Sequence, residues 1–217
     1  MKNEFIKRVI SSIILIPVVI YVIFAGSYIF NLFLLICFLI SFREWFALAK
    51  NKMTFTLGSI FLLISFGSIY GLKHNFGNNS YLILVLVICI FTDIGGYIIG
   101  KFFKGPKLIR ISPNKTYSGV FGSYIFSLLS SLLLVNSEFL NTNFSFSIVF
   151  VIFFTVLVST VSQLGDLLVS YFKRISNIKD TGNIIPGHGG LLDRIDGMIF
   201  AFPFSYLIFK INIFQYL

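Results

Sequence analysis

Long apolar runs separated by short polar breaks dominate this chain, and the runs are too long to be hidden in a soluble core. Hydropathy places seven of them, at about 9–26, 28–42, 53–72, 80–101, 119–135, 146–172 and 197–215. Most approach the roughly twenty residues that carry a helix across about 30 Å of hydrocarbon at about 1.5 Å per residue. The two-residue alternation of a barrel strand is missing from the runs, and backbone groups in hydrocarbon must be satisfied within their own segment. The pattern therefore predicts an all-α, polytopic integral membrane protein with about seven transmembrane helices.

Charge sorts the polar breaks into two kinds. Of the 17 Lys and Arg residues, Lys73 and Lys210 fall on one side of the predicted spans and the other fifteen on the opposite side. Such asymmetry predicts a cytoplasmic N-terminus, an external C-terminus and basic loops facing the cytoplasm. Residues 1–8, basic and followed by an apolar run, resemble a signal peptide, but no small-residue cleavage site of the usual form follows, so a retained first helix is expected.

Composition narrows the function classes. The chain is 57% hydrophobic with 28 Phe and only 12% charged residues, against the quarter expected of a soluble domain. A net charge of +9 raises nucleic acid as a partner. The cations stand between apolar spans, however, so topology explains most of them and an anionic ligand the rest. Cys37 and Cys89 lie inside apolar runs, far from His or acidic clusters, which indicates neither a disulfide nor a metal site.

Chemistry is concentrated in the second of two divisions, 1–78 as N-terminal membrane helices and 79–217 as a catalytic membrane core. In the first, Arg43-Glu44-Trp45 reads as an interface anchor and His74 as a solvated residue of an outer turn. In the second, Asp93 lies deep in an apolar helix, where an ionised carboxylate costs at least about 2.5 kcal/mol and so faces a cavity or a partner. A hydrogen bond to a neighbouring helix is the alternative. Gly95, Gly96 and Gly100 after it favour close helix packing or a backbone opened toward a ligand. The basic loop from Lys101 to Gly119 contains Ser112-Pro113-Asn114-Lys115-Thr116, whose hydroxyls and ammonium precede a helix and suit phosphate oxygens.

Half of the chain's acidic residues, Asp166, Asp180, Asp193 and Asp196, lie between Gly165 and Asp196. Asp193 and Asp196 share a helix face by their spacing, and Asp166 reaches the same place if the sixth and seventh spans pack antiparallel. Three oxygen donors without Cys or a His pair suit a hard ion, Mg²⁺ first, with salt bridges to Arg174, Lys179 and Arg194 as the alternative. Pro186 starts a turn in which Gly187, Gly189 and Gly190 surround His188. Such a loop brings amides to phosphate or is simply flexible, and His188 is a general acid, a phosphate donor or an organiser of the turn. A hard ion, cations and amides at a membrane face together describe phosphoryl or nucleotidyl transfer.

Ser170-x2-Lys173-Arg174-x4-Lys179-Asp180-x-Gly182-x2-Ile185-Pro186-x-His188-Gly189-Gly190-Leu191-x-Asp193-Arg194-Ile195-Asp196 resembles, over 27 residues, the signature of the phosphatidate cytidylyltransferases, or CDP-diacylglycerol synthases. Asp93-x-Gly95-Gly96-Tyr97 and Ser112-Pro113-x-Lys115-Thr116 are similar to upstream motifs of that family, so the resemblance covers about residues 90 to 200. It implies conversion of CTP and phosphatidic acid to CDP-diacylglycerol and pyrophosphate, with Mg²⁺, room for a second cation such as K⁺, and a homodimer in a bacterial inner membrane. It implies catalytic roles for Asp166, Asp193, Asp196, Lys173 and His188, the three aspartates as metal ligands. Substrate would be held by Ser112, Lys115, Thr116, Arg174, Lys179, Asp180, Gly189, Gly190, Arg194 and Asp93.

Val169 and Ser118 stand where that family has glutamates, and the short chain suggests fewer N-terminal spans. Two other readings stay open on the residues alone: a CTP-dependent lipid kinase, and an ion-coupled transporter using Asp93 and Asp166.

Overall fold

The computed structural model describes residues 15–76, 79–109, 112–137, 147–185, 187 and 189–211. Five helices within it are long and apolar enough to cross a membrane: α2 (Ser27–Leu48), α3 (Lys52–His74), α4 (Ser80–Phe103), α5 (Tyr117–Val135) and α6 (Ile148–Ile175). The shorter apolar helices α1 (Leu15–Phe24) and α8 (Met198–Ile211) stand at the first and seventh predicted spans. Both fall below the roughly 20 residues of a perpendicular crossing, and both adjoin residues outside the description. The chain is an all-α, multi-pass membrane protein.

Side-chain caps set several helix starts. Asn51 and Thr54 form a reciprocal capping box at α3, with the Thr54 amide donating to Asn51 Oδ1 at 2.9 Å. Ser147 accepts from the Phe150 amide at 3.2 Å to start α6, and Thr116 accepts from the Gly119 amide at 3.1 Å to start α5. Each satisfies a donor that the first helical turn leaves unpaired.

Lipid gives helices no hydrophobic reason to associate, so small residues and buried hydroxyls hold this bundle together. α4 lies against α5 through glycines: a Cβ on Gly95 would come within 2.4 Å of the Gly122 carbonyl oxygen, and one on Gly122 within 2.3 Å of the Ile99 Cβ. Of the two roles expected for the Gly95 region, the structure displays close packing. Ser123 donates to the Thr92 carbonyl at 2.7 Å and Thr92 to Ser159 on α6 at 2.9 Å. Thr155 and Ser131 join α6 to α5 at 2.9 Å, and Ser65 joins α3 to the Ile199 carbonyl of α8 at 2.7 Å. Gly165 and Gly197 let α6 and α8 approach where Phe200 and Ser162 fill the space.

Two elements differ from the sequence reading. The basic loop after α4 is a small antiparallel ribbon, β1 (Lys107–Ile109) with β2 (Ser112–Thr116), which delivers the chain directly into α5. His74 is no solvated turn residue: it ends α3, lies at hydrogen-bond distance from Asn31 Oδ1 (3.0 Å) and sits against Tyr70 and Phe30. Beside it, Lys73 donates to the Ile23 carbonyl and to Asn79 Oδ1, tying α1 to the α3–α4 turn.

Candidate active site

One end of the bundle collects the C-terminal ends of α2, α4 and α6, the ribbon, and α7 (Leu192–Ile195), a short helix leading into α8. At 28 residues, α6 is about 42 Å long and exceeds the hydrocarbon thickness. Asp166 is nine residues from its end and Asp93 ten from the end of α4, so both carboxylates lie roughly 15 Å in from the tips of their helices. The charged cluster therefore lies below the helix tips, with Asp93 on an exposed face of α4 and the Asp166 side chain part-exposed.

Lys115 reaches in from β2 and pairs with Asp166 Oδ2 at 2.6 Å, while its ammonium also lies 3.5 Å from the Gln163 carbonyl. Ser170, one turn along α6, donates to Asp166 Oδ1 at 3.3 Å. The Asp166, Asp196 and Asp93 carboxyl groups lie within electrostatic reach of one another, and Asp93 also of Lys115 and Arg194. Asp196 is 8% exposed and accepts from the Gly197 amide at 3.0 Å. Burial foremost, and then the neighbouring Asp166 charge, push its carboxyl well above the usual carboxylate range, against the opposing pull of Lys173.

Asp193 shares a helical turn with Asp196 but is held differently. Lys173 donates to its Oδ1 at 2.9 Å, and the amides of Thr181 and Gly190 donate to its Oδ2 at 2.8 and 2.9 Å. Lys173 also stands 3.9 Å from Asp196 Oδ2, so it bridges the two aspartates. Asp193 thereby ties the two arms of the glycine loop to α6. Among the described residues, no three His, Cys, Asp or Glu side chains form a ready-made metal cluster.

Other expected residues have different surroundings. The Thr116 hydroxyl caps α5 and meets Ser118 at 3.0 Å. The Gly190 amide is taken by Asp193, and the Gly189 carbonyl accepts from the Ile185 amide at 2.9 Å. Gly189 has φ +89°, a left-handed conformation that glycine adopts without strain, and a Cβ there would also meet Asp193 Oδ2 at 2.8 Å. These two glycines thus fit the loop to its own aspartate. Arg174, Lys179, Asp180 and Arg194 are exposed. Ser112 lies on β2, and His188 lies outside the described residues. Val169 is 3% exposed in an apolar cluster with Trp45, Leu192 and Ile199.

Sequence reasoning passed over Glu44. Far from anchoring at an interface, it is 4% exposed, and its carboxylate accepts from the Leu191 and Leu192 amides at 2.9 and 2.7 Å and from the Thr181 hydroxyl at 3.0 Å. Trp45 beside it is buried and donates to the Phe55 carbonyl at 3.3 Å. A lone acidic residue closing an apolar helix was the available signal.

A polytopic helical membrane protein with a carboxylate–lysine cleft at one end of its bundle is the class these features define. The sequence profile of the Cytidylyltransferase family matches residues 6–74 and 53–212. The chain is 34% identical over 211 residues to the phosphatidate cytidylyltransferase of Rickettsia bellii (strain RML369-C), covering 95% of this chain and 91% of that one. With the protein of that name from Staphylococcus saprophyticus subsp. saprophyticus it shares 33% identity over 186 residues, 82% of this chain and 70% of the other. The chain belongs to the cytidylyltransferase family, and it is a transferase of that kind.

Proposed function

We propose that this chain transfers the cytidylyl group of CTP to phosphatidic acid, giving CDP-diacylglycerol and pyrophosphate. The observation that carries the reading is that the family match runs through every element of the charged cluster, in which Lys115 and Lys173 meet Asp166, Asp193 and Asp196. A nucleotide arriving from water and a lipid phosphate held at the bilayer edge can both reach such a place. An oxygen of the lipid phosphate forms a bond to the α-phosphorus of CTP, the bond from that phosphorus to the oxygen bridging to the β-phosphate breaks, and pyrophosphate leaves with the electron pair. The attacking phosphate is already ionised, so the main tasks of the protein are alignment and charge neutralisation. Lys115 and Lys173 bring fixed positive charge to the cleft, and Arg174 and Lys179 add exposed charge around it.

The donor set suits Mg²⁺ at Asp166 and Asp196. Two carboxyl groups near enough for their charges to oppose each other, one of them buried, favour a proton or a cation between them. A bound Mg²⁺ supplies charge neutralisation for the nucleotide phosphates. Asp193 accepts from Lys173 and two amides and so holds the turn beside the two carboxylates, completing the three-aspartate set. The fifteen-to-two distribution of basic residues supports a cytoplasmic cleft. The second cation and the homodimer rest on the family resemblance, and activity in K⁺ against Na⁺ buffers and cross-linking in membranes address them.

Labelled CTP tests the reaction. With purified protein, Mg²⁺ and phosphatidic acid, α-label enters the lipid and γ-label leaves as pyrophosphate in equal amount. Entry of the γ-label into lipid would make the protein a kinase, and no movement of either label would favour transport.

A further inference from the structure

We propose that Glu44 is a positioning residue of the catalytic centre, acting as a clasp by which α2 holds the turn that carries Asp193 and Asp196. Three consecutive amides enter that turn and all three are accepted by carboxylates, Gly190 by Asp193 and Leu191 and Leu192 by Glu44. Thr181, on the opposite arm of the loop, is held by the same two residues, its amide by Asp193 and its hydroxyl by Glu44. The two carboxylates thus bracket the base of the loop from opposite sides. Asp193 comes from the turn itself, whereas Glu44 comes from a helix more than a hundred residues earlier, so it alone of the pair ties the turn to the first half of the bundle.

The local sequence is shaped around this clasp. A Cβ on Gly190 would stand 2.6 Å from Glu44 Oε2 and 2.3 Å from the Thr181 hydroxyl, and one on Gly182 would stand 2.7 Å from Glu44 Oε1. Glycine is needed at both positions for the carboxylate to reach the backbone. Trp45, Leu48, Val169 and Leu192 close an apolar cluster beside it, which keeps water from competing for the amides. Ser176 adds a second tie by donating to the Leu48 carbonyl at 2.7 Å, so the loop is joined to the end of α2 at its start and at its finish. A glutamate buried this deeply, with neutral donors on both oxygens, fixes backbone position and does not present itself to a substrate.

The catalytic half of this inference rests on the cytidylyl-transfer reading, whereas the clasp itself does not. Glu44→Gln keeps the shape but turns an NH₂ toward an amide donor, and Glu44→Ala removes every acceptor. In the full-length protein, Glu44→Gln lowers kcat on the order of 10- to 100-fold while KM for phosphatidic acid stays within about threefold, because the reacting groups are misaligned and lipid binding is untouched. Glu44→Ala lowers it further. Hydrogen–deuterium exchange of the substrate-free protein adds an independent readout. With Glu44→Gln, exchange accelerates at least about tenfold in residues 181–192 and is unchanged along α4 and α5. Unchanged exchange in 181–192, acceleration throughout the bundle, or wild-type kcat would each overturn the proposal. If the unsubstituted protein made no CDP-diacylglycerol, the activity would fall and the exchange comparison would still decide the clasp.

Discussion

Asp196→Asn separates catalysis from stability in a way that Asp193 cannot. The Asp196 carboxyl is buried, feels the charge of Asp166, and keeps Lys173 only at 3.9 Å while that lysine pairs with Asp193 at 2.9 Å. An asparagine in the same rotamer still accepts from the Gly197 amide, now 3.0 Å away, and removes a like charge from beside Asp166. Loss of the long Lys173 contact is opposed by relief of repulsion and of the cost of burying the charge, so the cation-free protein is destabilised by no more than about 1 kcal/mol, a few degrees in Tm. Activity, by contrast, falls at least about 10²-fold, because the anionic donor proposed for the neutralising ion is gone. The pH dependence carries the sign of the cause. A folded carboxyl pKa raised above its unfolded value favours folding most at pH below the unfolded pKa, and that contribution is lost as pH rises through the folded pKa. Without divalent cation, the unsubstituted protein therefore loses stability as pH rises above about 4, Asp196→Asn flattens this slope, and Mg²⁺ stabilises the unsubstituted protein most at the alkaline end. Thermal unfolding in detergent across this range, with EDTA or Mg²⁺, gives the slopes, and CDP-diacylglycerol formation gives the activity. A variant that melts far below the parent in EDTA, or keeps near-normal turnover, would refute the assignment.

Asp193→Asn behaves in the opposite manner: it weakens one charge-assisted and two amide hydrogen bonds, lowering stability by about 2–4 kcal/mol as well as activity. Stability equal to the parent would remove its anchoring role. For orientation, single cysteines at Asn75 and Lys179, both exposed, in a background without Cys37 and Cys89, label from opposite faces of sealed vesicles. Labelling from the same face would overturn the topology.

Much of this protein could be read from its order of residues, because a membrane makes local sequence decisive. Hydrocarbon cannot satisfy a backbone, so each apolar run must be helical within itself, and the described apolar helices fall on the predicted runs. The charged stretch from Gly165 to Asp196 was visible for a similar reason, as charge among apolar helices stands out. Which partner each charge chooses is not a local property. The spacing of Asp193 and Asp196 put both on one turn, but only the fold showed one facing Lys173 and two amides and the other facing Asp166. Glycines 189 and 190 marked a loop without side chains, and only the fold showed that Asp193, Thr181 and Glu44 lie against them. Glu44 itself lay outside every motif. Its role depends on α2 ending beside α7, a relation across almost 150 residues set by side-chain packing between helices, and no periodicity or spacing in the chain encodes that distance.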